Sequence, residues 1–232
     1  MLIFTPQNLV LLIAGLVNLV MSIIVFSRGM KNKINLYFGS LTFFNFLWAI
    51  GLIVTHSLNN IDLVGFYDRS TNMLGIGIVV SLFYFTLHFP YQIEKISKIK
   101  TIIIWLLASL LSILVYTKWF IISTVWVDES FNYVSYYYDP IFFIYVVYFV
   151  VLAVWSIYFL LKKYKQAEGI TRQQLKWLIL TITIGLIFGA YFNIVVSYFG
   201  DFKSGWLGPI FTAFMNGYVF YLITSSKEKI DN

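Results

Sequence analysis

The sequence predicts an all-α integral membrane protein, a bundle of seven transmembrane helices. Three observations carry this. Hydrophobic residues make up 60% of the 232-residue chain and charged residues only 11%, whereas about a quarter of a soluble domain is charged. Seven apolar stretches reach the roughly 20 residues that cross a bilayer core. The basic residues gather on alternate connections between those stretches, which is the positive-inside pattern.

The expected spans are residues 7–26, 34–55, 71–89, 101–120, 140–161, 177–199 and 206–224, the third starting earlier, near Phe66. Span one is not a removable signal peptide. Residues 1–8 carry no basic residue, and Arg28, Lys31 and Lys33 follow the apolar run instead of preceding it. Its N-terminus is therefore expected outside. Counting onward, thirteen basic residues fall on the inner side, among them Lys95, Lys98, Lys100, Lys162, Lys163, Lys165, Arg172 and Lys176. Only three, Arg69, Lys118 and Lys203, fall outside. The C-terminus is then cytoplasmic, and the net charge of +6 reflects topology, with no nucleic-acid partner expected.

Trp119, Trp177 and Trp206 lie at span ends, where indoles favour the interface. Thr171-Arg-Gln-Gln174 has the spacing of a capping box opening the sixth helix. Between spans four and five, two β-prone runs, 124–127 and 131–136, flank Asp128-Glu129-Ser130 and predict a short extracellular β-hairpin. It reads either as a lid over the outer mouth or as an ordinary loop with aromatics on the headgroups. With no repeat or linker, residues 1–224 form one seven-helix domain and 225–232 a short cytoplasmic tail.

The same residues narrow the function. The chain has no cysteine and two histidines, so neither a metal site nor a thiol nucleophile is expected. The interiors of the spans are read as holding no Asp, Glu, Lys or Arg, which counts against an ion-coupled transporter or pump. No lysine lies in span seven, which excludes a retinal Schiff base. There is no zinc-binding histidine pair and no intramembrane aspartate pair. His88, beside Pro90, reads as an interfacial side chain, or as a catalyst if Glu94 joins it. The chain is expected to be no enzyme and to need no cofactor.

Uncharged polar residues remain. Asn18, Asn45 and Asn216 share mid-depth in spans one, two and seven. They form either a switchable interhelical amide network or a static clamp. Asn72 and Asn193, in the outer halves of spans three and six, line with Trp48 a ligand pocket, or else serve helix packing and lipid contact. Gly185 and Gly189 form a small-xxx-small pair, read as packing within the bundle, with a homodimer the alternative partner.

Several of these stretches resemble the N-terminal seven-helix sensor region of bacterial histidine kinases and some diguanylate cyclases. The resemblance rests on Asn18, Ser22 and Phe26-Ser-Arg28 in and after span one, and on Phe89-Pro90 ending span three. It rests further on Arg172-Gln-Gln-Leu-Lys-Trp177 with Gly185 and Asn193, and on Leu207-Gly-Pro-Ile-Phe211 opening span seven. It covers residues 1–224 and implies a sensor in the bacterial plasma membrane. Such a sensor detects a small-molecule, peptide or lipid signal, and span seven feeds a cytoplasmic output domain. Eight residues follow Thr224, so the expectation is a separate kinase or other output protein as partner. The alternative is a facilitator for a neutral small solute, which needs a polar path from Asn72 and Asn193 to the inner face.

Overall fold

The computed structural model describes residues 5–126, 133–137, 139–199 and 204–225. The elements are α1 (Pro6–Ser27), α2 (Lys33–Thr55), α3 (Ile61–His88), α4 (Lys98–Leu114), β1 (Ile121–Trp126), β2 (Tyr133–Tyr137), α5 (Asp139–Gln166), α6 (Gly169–Tyr198) and α7 (Leu207–Ser225). Six of these helices, all but α4, are long and apolar enough to cross a membrane.

The helix starts follow from local chemistry. Thr5 caps α1 through the Asn8 amide, with Pro6 in the first turn. Asn32 caps α2, Asn60 caps α3 through the amides of Asp62 and Leu63, and Ser97 caps α4. Pro90 closes α3.

Two expectations about helix limits are corrected. α6 starts at Gly169, whose φ of +54° reverses the chain right after α5, so Thr171 lies inside the first turn and caps nothing. The Asn60 cap starts α3 at Ile61, earlier still than the expected start near Phe66, so Asp68 and Arg69 lie well inside the helix.

The helices pack in sequence and close into a ring, α7 returning to α1, while α4 lies outside against α3. α3 is the axis. Leu74, Ile78, Leu82 and Phe85 join one core with α1, α2, α6 and α7. Ile76, Val79, Phe83 and Leu87 join a second core with α4, β1 and α5. The half of α3 from Leu74 to Leu87 is thus packed on opposite faces.

α1 shows the membrane pattern most plainly. Asn8, Gly15, Asn18 and Ser22 face inward, and Leu9, Ile13, Leu16, Val20 and Ile23 are exposed. Polar groups are buried beside Leu11, Ala14, Met21 and Val25 while the outer face is apolar, the reverse of a soluble helix. This is a multi-pass membrane protein.

β1 and β2 pair antiparallel at one end of the bundle, with Thr124 opposite Ser135. Asp128-Glu129-Ser130 lies outside the described residues, as do Lys203 and residues 226–232 of the tail.

Candidate functional site

At the end carrying β1 and β2, the ring encloses a cavity of about 80 Å³. This is room for several waters, one needing about 10–15 Å³ on the same measure. Trp48 from α2, Asn72 from α3 and Asn193 from α6, expected as pocket residues, all line it. Asn72 Nδ2 donates to Asp68 O (2.9 Å) and Asn193 Nδ2 to Gly189 O (3.2 Å), each four residues back in its own helix. Both amide oxygens are left as acceptors.

Asn193 owes its position to a π-helical turn, Tyr191–Val195, within α6. Such turns recur at functional sites. The Leu207-Gly-Pro start of α7 completes the wall. A Cβ built on Gly208 would overlap Asn193 Nδ2 and stand 3.0 Å from the Trp48 ring. Two cavity residues therefore rest directly on the backbone of α7, a contact only glycine permits.

The cavity also holds residues that hydropathy did not single out. Asp68, 5% exposed, lines it together with His56, Tyr145 and Phe149. Asp68 Oδ2 accepts a 2.5 Å hydrogen bond from Ser135 of β2. Its neighbour Arg69 donates to Ile121 O of β1 (2.9 Å) and Gly65 O (3.2 Å). Consecutive α3 residues thus clamp both strands over the cavity. The missed signal was Asn60-Ile-Asp62, a cap that extends α3 back over Asp68. Burial lowers the pKa of His56, just past α2, so the imidazole stays neutral at pH 7.

The three mid-depth amides are all buried, but they divide. Asn216 Nδ2 donates to Asn18 Oδ1 at 2.7 Å, tying α7 to α1. Asn45 Nδ2 instead donates to Leu41 O of its own helix at 2.8 Å, and its oxygen has no partner among the described residues. The arrangement is a pair plus a separate amide. Gly185 and Gly189 meet Met215 and Thr212 of α7, a contact within the bundle.

At the opposite end, His88 stacks on Tyr37 with ring centroids 5.6 Å apart, and Glu94 pairs with Lys162, so the acid a catalytic reading needs is otherwise engaged. Lys163, expected in the connection after span five, lies within α5 instead. α5 runs past Leu161 to Gln166, and Lys163 is fully buried. Its ammonium donates to Thr86 O (2.7 Å), Leu87 O (3.0 Å) and Phe89 O (2.6 Å), the carbonyls that α3 leaves unpaired at its end. Among the described residues no three His, Asp or Glu gather to hold a metal ion.

Comparison with curated proteins gave no significant match. The profile of the family described as the N-terminal 7TM region of histidine kinase matches residues 10–228, nearly the whole chain. With six membrane-length helices and a cavity walled by the start of the last of them, the chain belongs to the N-terminal 7TM region family of histidine kinases.

Proposed function

We propose that the chain is a non-catalytic sensor of the bacterial plasma membrane, in which occupancy of the cavity is converted into a displacement of α7 and relayed to a cytoplasmic output partner. In this reading α4 also crosses, giving seven spans with the N-terminus and the strands outside. The excess of basic residues on the alternate connections supports that orientation. The carrying observation is the contact of Asn193 and Trp48 with Gly208. A ligand between these side chains moves groups that bear on the α7 backbone, and α7 is in turn latched to α1 by Asn216 and Asn18. Two discrete packings of one helix are what a switch needs.

A neutral-solute facilitator is less well supported. Beneath Asn72 and Asn193 the cavity is lined by Ile78, Leu82, Leu186 and Met215, which offer no polar path.

The test joins the chain after Ser225 to the cytoplasmic portion of a histidine kinase and measures autophosphorylation in membrane vesicles. Gly208→Ala forces Asn193 and Trp48 apart and is expected to change basal phosphorylation at least threefold. Gly217→Ala, where a Cβ meets nothing within 4 Å, should leave it unchanged. Equal phosphorylation in wild type and Gly208→Ala, with both inserted, would refute the relay.

A further inference from the structure

We infer that the cavity binds a small primary ammonium ligand, held by the carboxylate of Asp68. This rests on the cavity being the sensor's ligand site. The polar groups facing it are unusual in sign. Asp68 is a buried carboxylate on the cavity wall, and no cation pairs with it among the described residues, where the one ion pair is Lys162 with Glu94. Arg69, the next residue, acts on Asp68 electrostatically but does not contact it, its terminal nitrogens being spent on the carbonyls of Gly65 and Ile121. Among the described residues no lysine or arginine lines the cavity. A buried charge with no counter-charge in contact is costly, and a bound cation relieves that cost.

The neighbouring groups suit the same ligand. Asn72 and Asn193 commit their Nδ2 groups to their own helices, leaving the amide oxygens of two residues that line the same cavity as acceptors. An ammonium has three N–H donors and no acceptor, which matches three acceptors. Trp48, Tyr145 and Phe149 supply aromatic wall against which a cation and its apolar stem are favourable. An anion would meet the carboxylate, and a neutral ligand would leave it unpaired.

The ligand also competes for a bond that holds the strands. Ser135 Oγ donates to Asp68 Oδ2, so an ammonium arriving at that carboxylate weakens the tie between β2 and α3.

The experiment uses the full chain in lipid nanodiscs and follows its melting temperature against ligand concentration. The probes are phenethylamine and n-butylamine, with their neutral isosteres 2-phenylethanol and 1-butanol. Both amines are expected to give saturable upward shifts, half-saturating at least tenfold below the alcohols. Asp68→Asn should abolish that tenfold preference, and Ser135→Ala, which leaves the carboxylate, should retain it. Amines and alcohols acting equally on the wild type, no shift from either amine, or an Asp68→Asn response within twofold of wild type would each overturn the inference. If Asp68→Asn does not insert, the wild-type and Ser135→Ala comparisons still decide. Alcohol binding that is lost in Trp48→Ala would leave the cavity as a ligand site for neutral molecules. Asp68-dependent amine binding with unmoved kinase output would sink the relay alone.

Discussion

Asn216 of α7 donates a 2.7 Å hydrogen bond to Asn18 of α1, joining the last helix to the first across a separation of 198 residues. Both amides are buried, and the bond closes the ring of helices at mid-depth. Asn45, at similar depth on α2, makes no such link and turns its Nδ2 to Leu41 O.

That difference sets opposite expectations for isosteric leucines. Asn216→Leu should destabilise the fold by about 0.6–1.7 kcal/mol, from the average to the largest value found for interhelical hydrogen bonds in membranes. Asn18→Leu should couple to it in a double-mutant cycle. Asn45→Leu removes an amide that makes no bond to another helix and whose oxygen, like that of Asn216, is buried with no partner among the described residues. Its effect should lie within about 0.5 kcal/mol of zero or be stabilising, without coupling to Asn216. Unfolding in mixed micelles measures all three, and strong Asn45–Asn216 coupling would restore the three-amide network.

Lys163 is fully buried, and its three donors meet three carbonyls at the end of α3. Lys163→Met should cost about 2–3 kcal/mol, since charge-assisted bonds and the helix-end charge are lost together. Lys163→Arg should not restore stability, because a planar fork does not match three converging carbonyls. Lys162→Ala breaks a pair whose side chains are 34% and 40% exposed, and should cost under about 1 kcal/mol. Thermal melts of the purified variants give the ranking. Equal losses at 162 and 163 would contradict it.

The two glycines of the small-xxx-small pair should behave differently. A Cβ on Gly185 meets Met215 Sδ at 2.9 Å and Cβ at 3.1 Å, too close without movement of α7. Gly185→Ala should destabilise by about 1 kcal/mol or more through overpacking. A Cβ on Gly189 finds Thr212 Cγ2 at 3.5 Å, an ordinary contact. Gly189→Ala should then be neutral or stabilising by up to about 1 kcal/mol from helix propensity. Both are read from melting temperatures in one detergent.

His56 carries a pH dependence whose sign follows from its burial. Burial lowers its pKa from 6.5, so the unfolded chain binds the proton more readily than the folded one. Stability attributable to His56 is therefore complete above pH 6.5 and declines as pH falls through and below that value. Its imidazole resonance, assigned by comparison with His56→Gln, should titrate with a midpoint below 6.5. A midpoint above it would place an anion beside the ring.

The sequence alone settled the class of protein, the approximate place of each helix and the depth of its polar groups, because a bilayer writes hydropathy, length and loop charge directly into the chain. Trp48, Asn72 and Asn193 were legible as residues of one depth, and the structure sets them on one cavity. Their meeting with Gly208 was not legible, because it depends on a π-turn in α6 and on where α7 lands. Asp68 and Lys163 were hidden by their positions at helix ends, where charge normally signals water. Tertiary structure buried Asp68 under β2 and brought Lys163 to the unpaired carbonyls of α3. Asn45 was hidden for the opposite reason, since its place in the sequence matches that of Asn18 while its partner does not. In a membrane, apolar residues face lipid and core alike, so hydrophobicity places a helix at a depth. Which face it buries, and against which neighbour, is decided only by packing.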